Sequence, residues 1–136
     1  MARGGFMLDT NTVSALVRRP HPQLDARFRA VPPALLCISA ITEGELRFGL
    51  AKRPDATRLA RTVNAFLKGM DIQPFDSAAA ARYGDVRAAL EAAGTPLAHL
   101  DTLIAAHALA EEAILVTHDG AFARAPGLTV EDWLAA

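Results

Sequence analysis

Short apolar runs that stop at polar residues, separated by helix-length segments, constrain the fold of this chain more than any other feature. Phe6-Met7-Leu8, residues 35–39 and residues 113–117 read as buried strands, with shorter ones expected over 70–75 and 128–130. These runs are apolar throughout rather than alternating, as in strands covered on both faces. The segments between them carry helix punctuation. Helices are expected over 12–18, 23–31 and 41–51, from a cap at Asp55 to Gly69, from a cap at Asp76-Ser77 to Ala93, and over 100–111, with a helical turn at 119–123. Pro20, Pro22, Pro32-Pro33 and Gly94-Thr95-Pro96 interrupt them. Strand and helix in alternation predict an α/β fold with a parallel sheet between helical layers.

The 136 residues, 51% of them hydrophobic, suffice for one domain with its own core, and no repeat or linker divides residues 1–136. Cys37, the single cysteine, lies in an apolar run and reads as a small core hydrophobe, which suits a reducing cytoplasm. No stretch has the length of a membrane span and the N-terminus carries no signal-peptide pattern, so no membrane association is expected. In the segment up to Gly69, Leu59, Val63, Phe66 and Leu67 form a stripe that is either core or a dimer interface. The net charge of −1 hides an asymmetry: residues 1–68 carry 11 Lys and Arg against 5 Asp and Glu, residues 69–136 carry 3 against 10. One surface is thus suited to a polyanion, with Arg47, Lys52, Arg53, Arg58 and Arg61 on two consecutive helices as its candidates.

The acids fall at telling places on this map. Asp9 ends the first strand, Glu43 and Glu45 lie in the helix after the second, Asp101 begins the helix before the fourth, and Asp119 follows the fourth. In an open parallel sheet the carboxyl edge of the strands is where ligands bind. Each acid also has a plainer role open to it. Asp9, Asp101 and Asp119 could cap helices or turns, and Glu45 could be an exposed helix residue. Jointly, carboxylates at one edge repel unless a cation neutralises them, and an all-oxygen set suits Mg2+ or Mn2+. No His pair at i, i+4 favours zinc, His21, His99 and His107 have ordinary structural readings, and no Gly-x-Ser-x-Gly elbow surrounds Ser14.

The order of these elements resembles the PIN-domain nucleases, and within them the VapC-type toxins of toxin–antitoxin pairs. The resemblance rests on Leu8-Asp9-Thr10-Asn11, on Ser39-Ala40-Ile41-Thr42 leading into Glu45-Leu46-Arg47-Phe48-Gly49, and on Gly94-Thr95-Pro96-Leu97 before Asp101. It continues through Asp101-Thr102-Leu103-Ile104-Ala105-Ala106-His107-Ala108, Leu115-Val116-Thr117-His118-Asp119, Phe122 and Pro126-Gly127-Leu128, spanning almost the whole chain.

The resemblance implies a three-layer α/β/α sandwich and a metal-dependent endoribonuclease that hydrolyses RNA phosphodiester bonds. Asp9, Glu45, Asp101 and Asp119 match the catalytic and metal-binding acids, Asp119 at the most variable position. Glu45 rather than Glu43 matches the family's glutamate, leaving Glu43 a solvated neighbour. Thr10, Asn11 and Thr117 match polar positions that orient the acids or water, and His118 departs from the family's usual Asn. The cofactor implied is Mg2+ or Mn2+. The partners implied are an RNA substrate, a cognate antitoxin protein and a second copy of the chain. Two other readings stand beside this one: a PIN-like module that binds RNA or protein without cutting, and an aspartate-dependent phosphatase. Asn11 counts against the latter, since such phosphatases usually have a second acid there.

Overall fold

A computed structural model describes residues 4–135. The elements run β1 (Phe6–Leu8), α1 (Thr10–Arg18), α2 (Pro22–Ala30), β2 (Leu36–Ser39), α3 (Ala40–Ala51), α4 (Thr57–Gly69), β3 (Asp71–Gln73), α5 (Ser77–Ala92), α6 (His99–Ala110), β4 (Ile114–Val116) and β5 (Val130–Glu131). Short 3-10 turns occupy Pro33–Leu35 and Gly120–Arg124. The strands form one sheet in the order β3-β2-β1-β4-β5, and every pairing is parallel. This is the expected three-layer α/β/α arrangement.

Side chains that alternate along each strand feed two cores. Met7, Cys37 and Leu115 pack on one face with Val86, Leu90, Ile104 and Phe122, whereas Leu8, Ile38 and Val116 pack on the other with Val13, Leu24, Val63 and Trp133. Burial on both faces explains why the strands are apolar without alternation. Of the Leu59-Val63-Phe66-Leu67 stripe, Val63 and Leu67 are buried in the second core and Leu59 and Phe66 pack partly buried against it. Trp133 packs back onto that core at 1% exposure, its ring 5.3 Å from Phe6 and its indole N–H donating to Glu131. Burial pushes the Cys37 thiol up to about 12, with Asp71 and Glu111 adding to it, so the sulfur stays a protonated core atom.

Local chemistry sets most boundaries. Asp76 caps α5 through the Ala79 amide, as expected. At the other end Gly94, at φ +70°, closes the helix with Thr95 N–H donating to Leu90 O and Gly94 N–H to Glu91 O, a Schellman arrangement. Two expectations need correction. Asp55 does not cap α4, whose N-cap is Ala56 without a side-chain bond, because a turn over residues 53–57 carries Asp55 past the free amides. The last strand is Val130–Glu131 rather than 128–130, because Leu128 N–H is taken by Ala125 O in the turn that Gly127 makes at φ +79°. Among the described residues, no helix is long and apolar enough to cross a membrane.

Candidate active site

The sheet order reverses direction at β1: the chain moves outward to β2 and β3, then returns to β4 and β5 on the other side. A crevice opens beyond the strand ends at such a point. Register places Asp9 and Thr117 one residue past the paired Leu8 and Val116, and Ser39 as the last residue of β2, so polar residues stand at the ends of the three central strands.

Asp9 forms the floor of the crevice. It is 3% exposed, its amide donates to Val116 O at 3.1 Å, and its Oδ1 accepts from Thr12 N–H at 2.8 Å as the N-cap of α1. Capping and site placement therefore coexist at Asp9. Glu45, half-buried on α3, accepts a short hydrogen bond from the Thr10 hydroxyl, whose oxygen also lies 3.4 Å from Thr42 Oγ1. Thr42 is buried and was not singled out by the sequence; a threonine three residues before the matched glutamate was the available signal. Asp101, also half-buried, lies in the first turn of α6 but does not cap it, since Ala98 holds that place. Asp119 stands at the exposed rim, where Oδ1 accepts from Ala121 N–H at 2.9 Å and its own amide donates to Thr117 Oγ1 at 3.0 Å.

The electrostatics tie these acids together. Burial pushes the Asp101 carboxyl above its usual range, and the charges of Asp119, Glu45 and Asp9 push it further. Three acids from separate elements thus act on Asp101 across the crevice. Glu43 faces elsewhere, paired with Arg47 at 2.8 Å on the outer side of α3. That pairing also occupies the Arg47 guanidinium. Of the polar neighbours, Thr10 and Thr117 touch acids, whereas Asn11 is exposed on the first turn of α1. His118 is turned to the C-terminal segment, with Nδ1 2.8 Å from Asp132 Oδ2.

Two hollows flank Glu45. One of about 550 Å3 lies between α3 and α6, with Ile41, Phe48, Lys52 and Leu100 on its walls; Phe48 is 63% exposed. The other, about 120 Å3, lies toward α1 and α4 and includes Ser14 and Arg18. Among the described residues, no three His, Cys, Asp or Glu side chains are grouped closely enough to hold a metal ion unaided. Mg2+ does not require such a cage, because it keeps several waters and is commonly held by one or two carboxylates plus substrate phosphate. The all-oxygen donors and their mutual repulsion at Asp101 fit a hard dication.

Residues 6–128 match the PIN domain family. The chain belongs to the PIN-domain family. Over 129 residues, 94% of this PIN-domain chain and 97% of its relative, it is 35% identical to the tRNA(fMet)-specific endonuclease VapC of Salmonella typhimurium. Its fold superposes on the DNA-bound VapBC of Salmonella typhimurium with a TM-score of 0.90 at 34% identity, covering 96% of this chain and 98% of that one. The VapBC2 of Rickettsia felis, bound to a promoter DNA fragment, gives 0.86 at 30% identity over 94% and 98%.

Proposed function

We propose that this PIN domain is an endoribonuclease of the VapC kind, the toxin of a toxin–antitoxin pair, with residues 1–136 working as one nuclease domain in the cytoplasm. RNA phosphodiester hydrolysis would depend on Mg2+ or Mn2+ held among Asp9, Glu45, Asp101 and Asp119. The observation that carries this reading is the convergence of those acids, felt at Asp101 as a carboxyl that resists ionising. A dication bound there would supply charge neutralisation at the phosphate and would lower the pKa of a water that it holds.

The chain's own residues do the rest. Asp9 is held by its cap bond through Oδ1 and by its amide's bond to the Val116 carbonyl, which leaves Oδ2 outside the cap bond. The Thr10 hydroxyl holds Glu45 in one rotamer, and Thr117 fixes the turn that presents Asp119. Burial and the neighbouring acids raise the Asp101 pKa, and positive charge placed among them would lower it again. Lys52, Arg53, Arg58 and Arg61, all exposed, are suited to RNA phosphates. The partner proposed is an antitoxin that places an Arg or Lys among the acids, since a guanidinium fork competes for the same charge. A second copy of the chain is proposed to complete the assembly.

The test is cleavage of RNA by the purified chain. Cleavage should appear with Mg2+ or Mn2+, vanish with chelator, and vanish in Asp101→Asn. Undiminished cutting in excess EDTA would defeat the metal assignment. Co-expression with the product of the adjacent gene should yield an inactive complex, and no association at micromolar concentration would remove the toxin–antitoxin part alone.

A further inference from the structure

The buried face of helix α6 is made largely of small side chains: Ala105, Ala106 and Ala108 are fully buried, with Ile104 and His107 as its large members. Such short side chains make shallow ridges, and apolar contact has no direction, so packing alone resists a small slide of the helix along its axis only weakly. Yet α6 carries Asp101, whose placement must be held to within a fraction of an ångström for chemistry.

His107 is the large polar side chain on that face. It is fully buried, its ring meets Phe75 edge-on at 5.3 Å, and its Nδ1 lies 2.8 Å from Ser39 Oγ. This hydrogen bond ties α6 directly to the end of β2. Ser39 is the last residue of β2 and the N-cap of α3, its Oγ accepting from Ile41 N–H at 3.0 Å. With one lone pair taken by that amide, the hydroxyl can donate to Nδ1 or accept from it through its second lone pair, according to the ring's tautomer. Nε2 faces Glu111 Oε2 at 3.8 Å, one turn further along α6, and the Pro74 carbonyl also lies against the ring. Burial lowers the imidazole's pKa, with Asp76 and the Pro74 carbonyl opposing it, so the ring is neutral near pH 7.

We propose that the Ser39–His107 hydrogen bond is the brace that sets the spacing of the two acid-bearing helices, which makes His107 a positioning residue for the site. Asp101 precedes His107 by six residues on α6, and Glu45 follows Ser39 by six on α3. At a rise of ~1.5 Å per residue, each acid lies about 9 Å along its helix from the brace. A directional bond between neutral groups in a dry interior fixes the axial register that alanine packing leaves soft. The inference rests on the reading of Asp101 and Glu45 as metal ligands.

Mn2+ binding to the purified chain, read from loss of the free-ion EPR signal, tests it alongside melting in EDTA. His107→Leu fills the volume without the bond and should weaken Mn2+ affinity about tenfold, the scale of weakened outer-shell support at metal sites. His107→Asn puts an amide near the Nδ1 position and should stay within about threefold of wild type on that scale. Leu90→Ala, on the α5 face of the same core, should lower the melting temperature while leaving affinity in place. Should His107→Leu not fold, His107→Gln, which presents its amide toward the Nε2 position, replaces it with the same expectation. Wild-type affinity in the bond-free variant, or a loss in Leu90→Ala that tracks its melting temperature, overturns the brace. Absence of Mn2+ binding by the wild type, or equal binding by Asp101→Asn, overturns the ligand assignment instead, and the brace with it.

Discussion

Replacing Asp9 by Asn separates the two roles that this carboxylate holds in one structure. As a cap, it accepts from Thr12 N–H at 2.8 Å, and Asn retains that acceptor. Asn and Asp are near-equal N-caps, so the variant should stay within a few tenths of a kcal/mol of wild type in EDTA, whereas Asp9→Ala should lose about 1 kcal/mol. Relief of the repulsion that Asp9 exerts on Asp101 moves the Asn variant upward from there. Metal binding depends on the charge instead. If wild type binds Mg2+ and the variant does not, saturating to 100 times Kd stabilises wild type alone by about 2.7 kcal/mol. For a chain of 136 residues each kcal/mol is worth roughly 3–5 °C of melting temperature, so the two curves should part by roughly 10 °C. The assay is a pair of melting curves for wild type, Asp9→Asn and Asp9→Ala, in EDTA and in Mg2+, beside RNA cleavage by each. An equal Mg2+ shift in Asp9→Asn, or full cleavage by it, refutes the assignment of Asp9 as a ligand.

Other substitutions probe the remaining parts. Glu45→Gln and Asp101→Asn should abolish RNA cleavage with the fold retained on melting, Asp119→Asn at the exposed rim should have a milder effect, and Glu43→Gln should leave activity in place because Glu43 is paired with Arg47 away from the crevice. The raised Asp101 pKa means that the folded, metal-free chain keeps its proton longer than the unfolded one, so stability should fall as pH rises from the ordinary carboxylate value of 3.8 through the raised one, and Asp101→Asn should flatten that slope in urea titrations. His107 acts in the opposite sense: its lowered pKa makes stability fall as pH drops below the ordinary value of 6.5, a loss that His107→Asn should remove. Reversing Arg53 and Arg58 to Glu should weaken RNA binding in Ca2+, with the log–log salt slope reduced by ~0.7 for each RNA phosphate that the variant no longer neutralises; an unchanged slope places the RNA elsewhere. Trp133→Ala, emptying a site that is 1% exposed, should destabilise by about 3–5 kcal/mol in denaturant melts.

Sequence alone determined the architecture, because strands buried on both faces must be apolar throughout and helices must be punctuated. Residues 113–117 and Pro32-Pro33 announce a β4 and an α2 terminus within a residue or two of where they fall. It also determined which acids stand at strand ends, since Asp9 directly follows an apolar run. What sequence could not decide was the choice between local and distant partners for one side chain. Asp9 and Asp119 do cap, Asp101 and Asp55 do not, and the difference lies in where each helix begins: Asp101 is already inside α6, and Asp55 stands one residue ahead of the N-cap of α4. Likewise the Thr10 hydroxyl meets Glu45 across 35 positions of chain and Ser39 meets His107 across 68, pairings that no spacing rule encodes. The rise in the Asp101 pKa belongs to the same class: burial and three distant charges produce it, and these come together only when β1, α3, α6 and the turn after β4 close on one sheet edge. Short-range hydrogen bonding and periodicity are properties of a segment and are legible in it, whereas desolvation and charge coupling are properties of a neighbourhood that only the packed sheet creates.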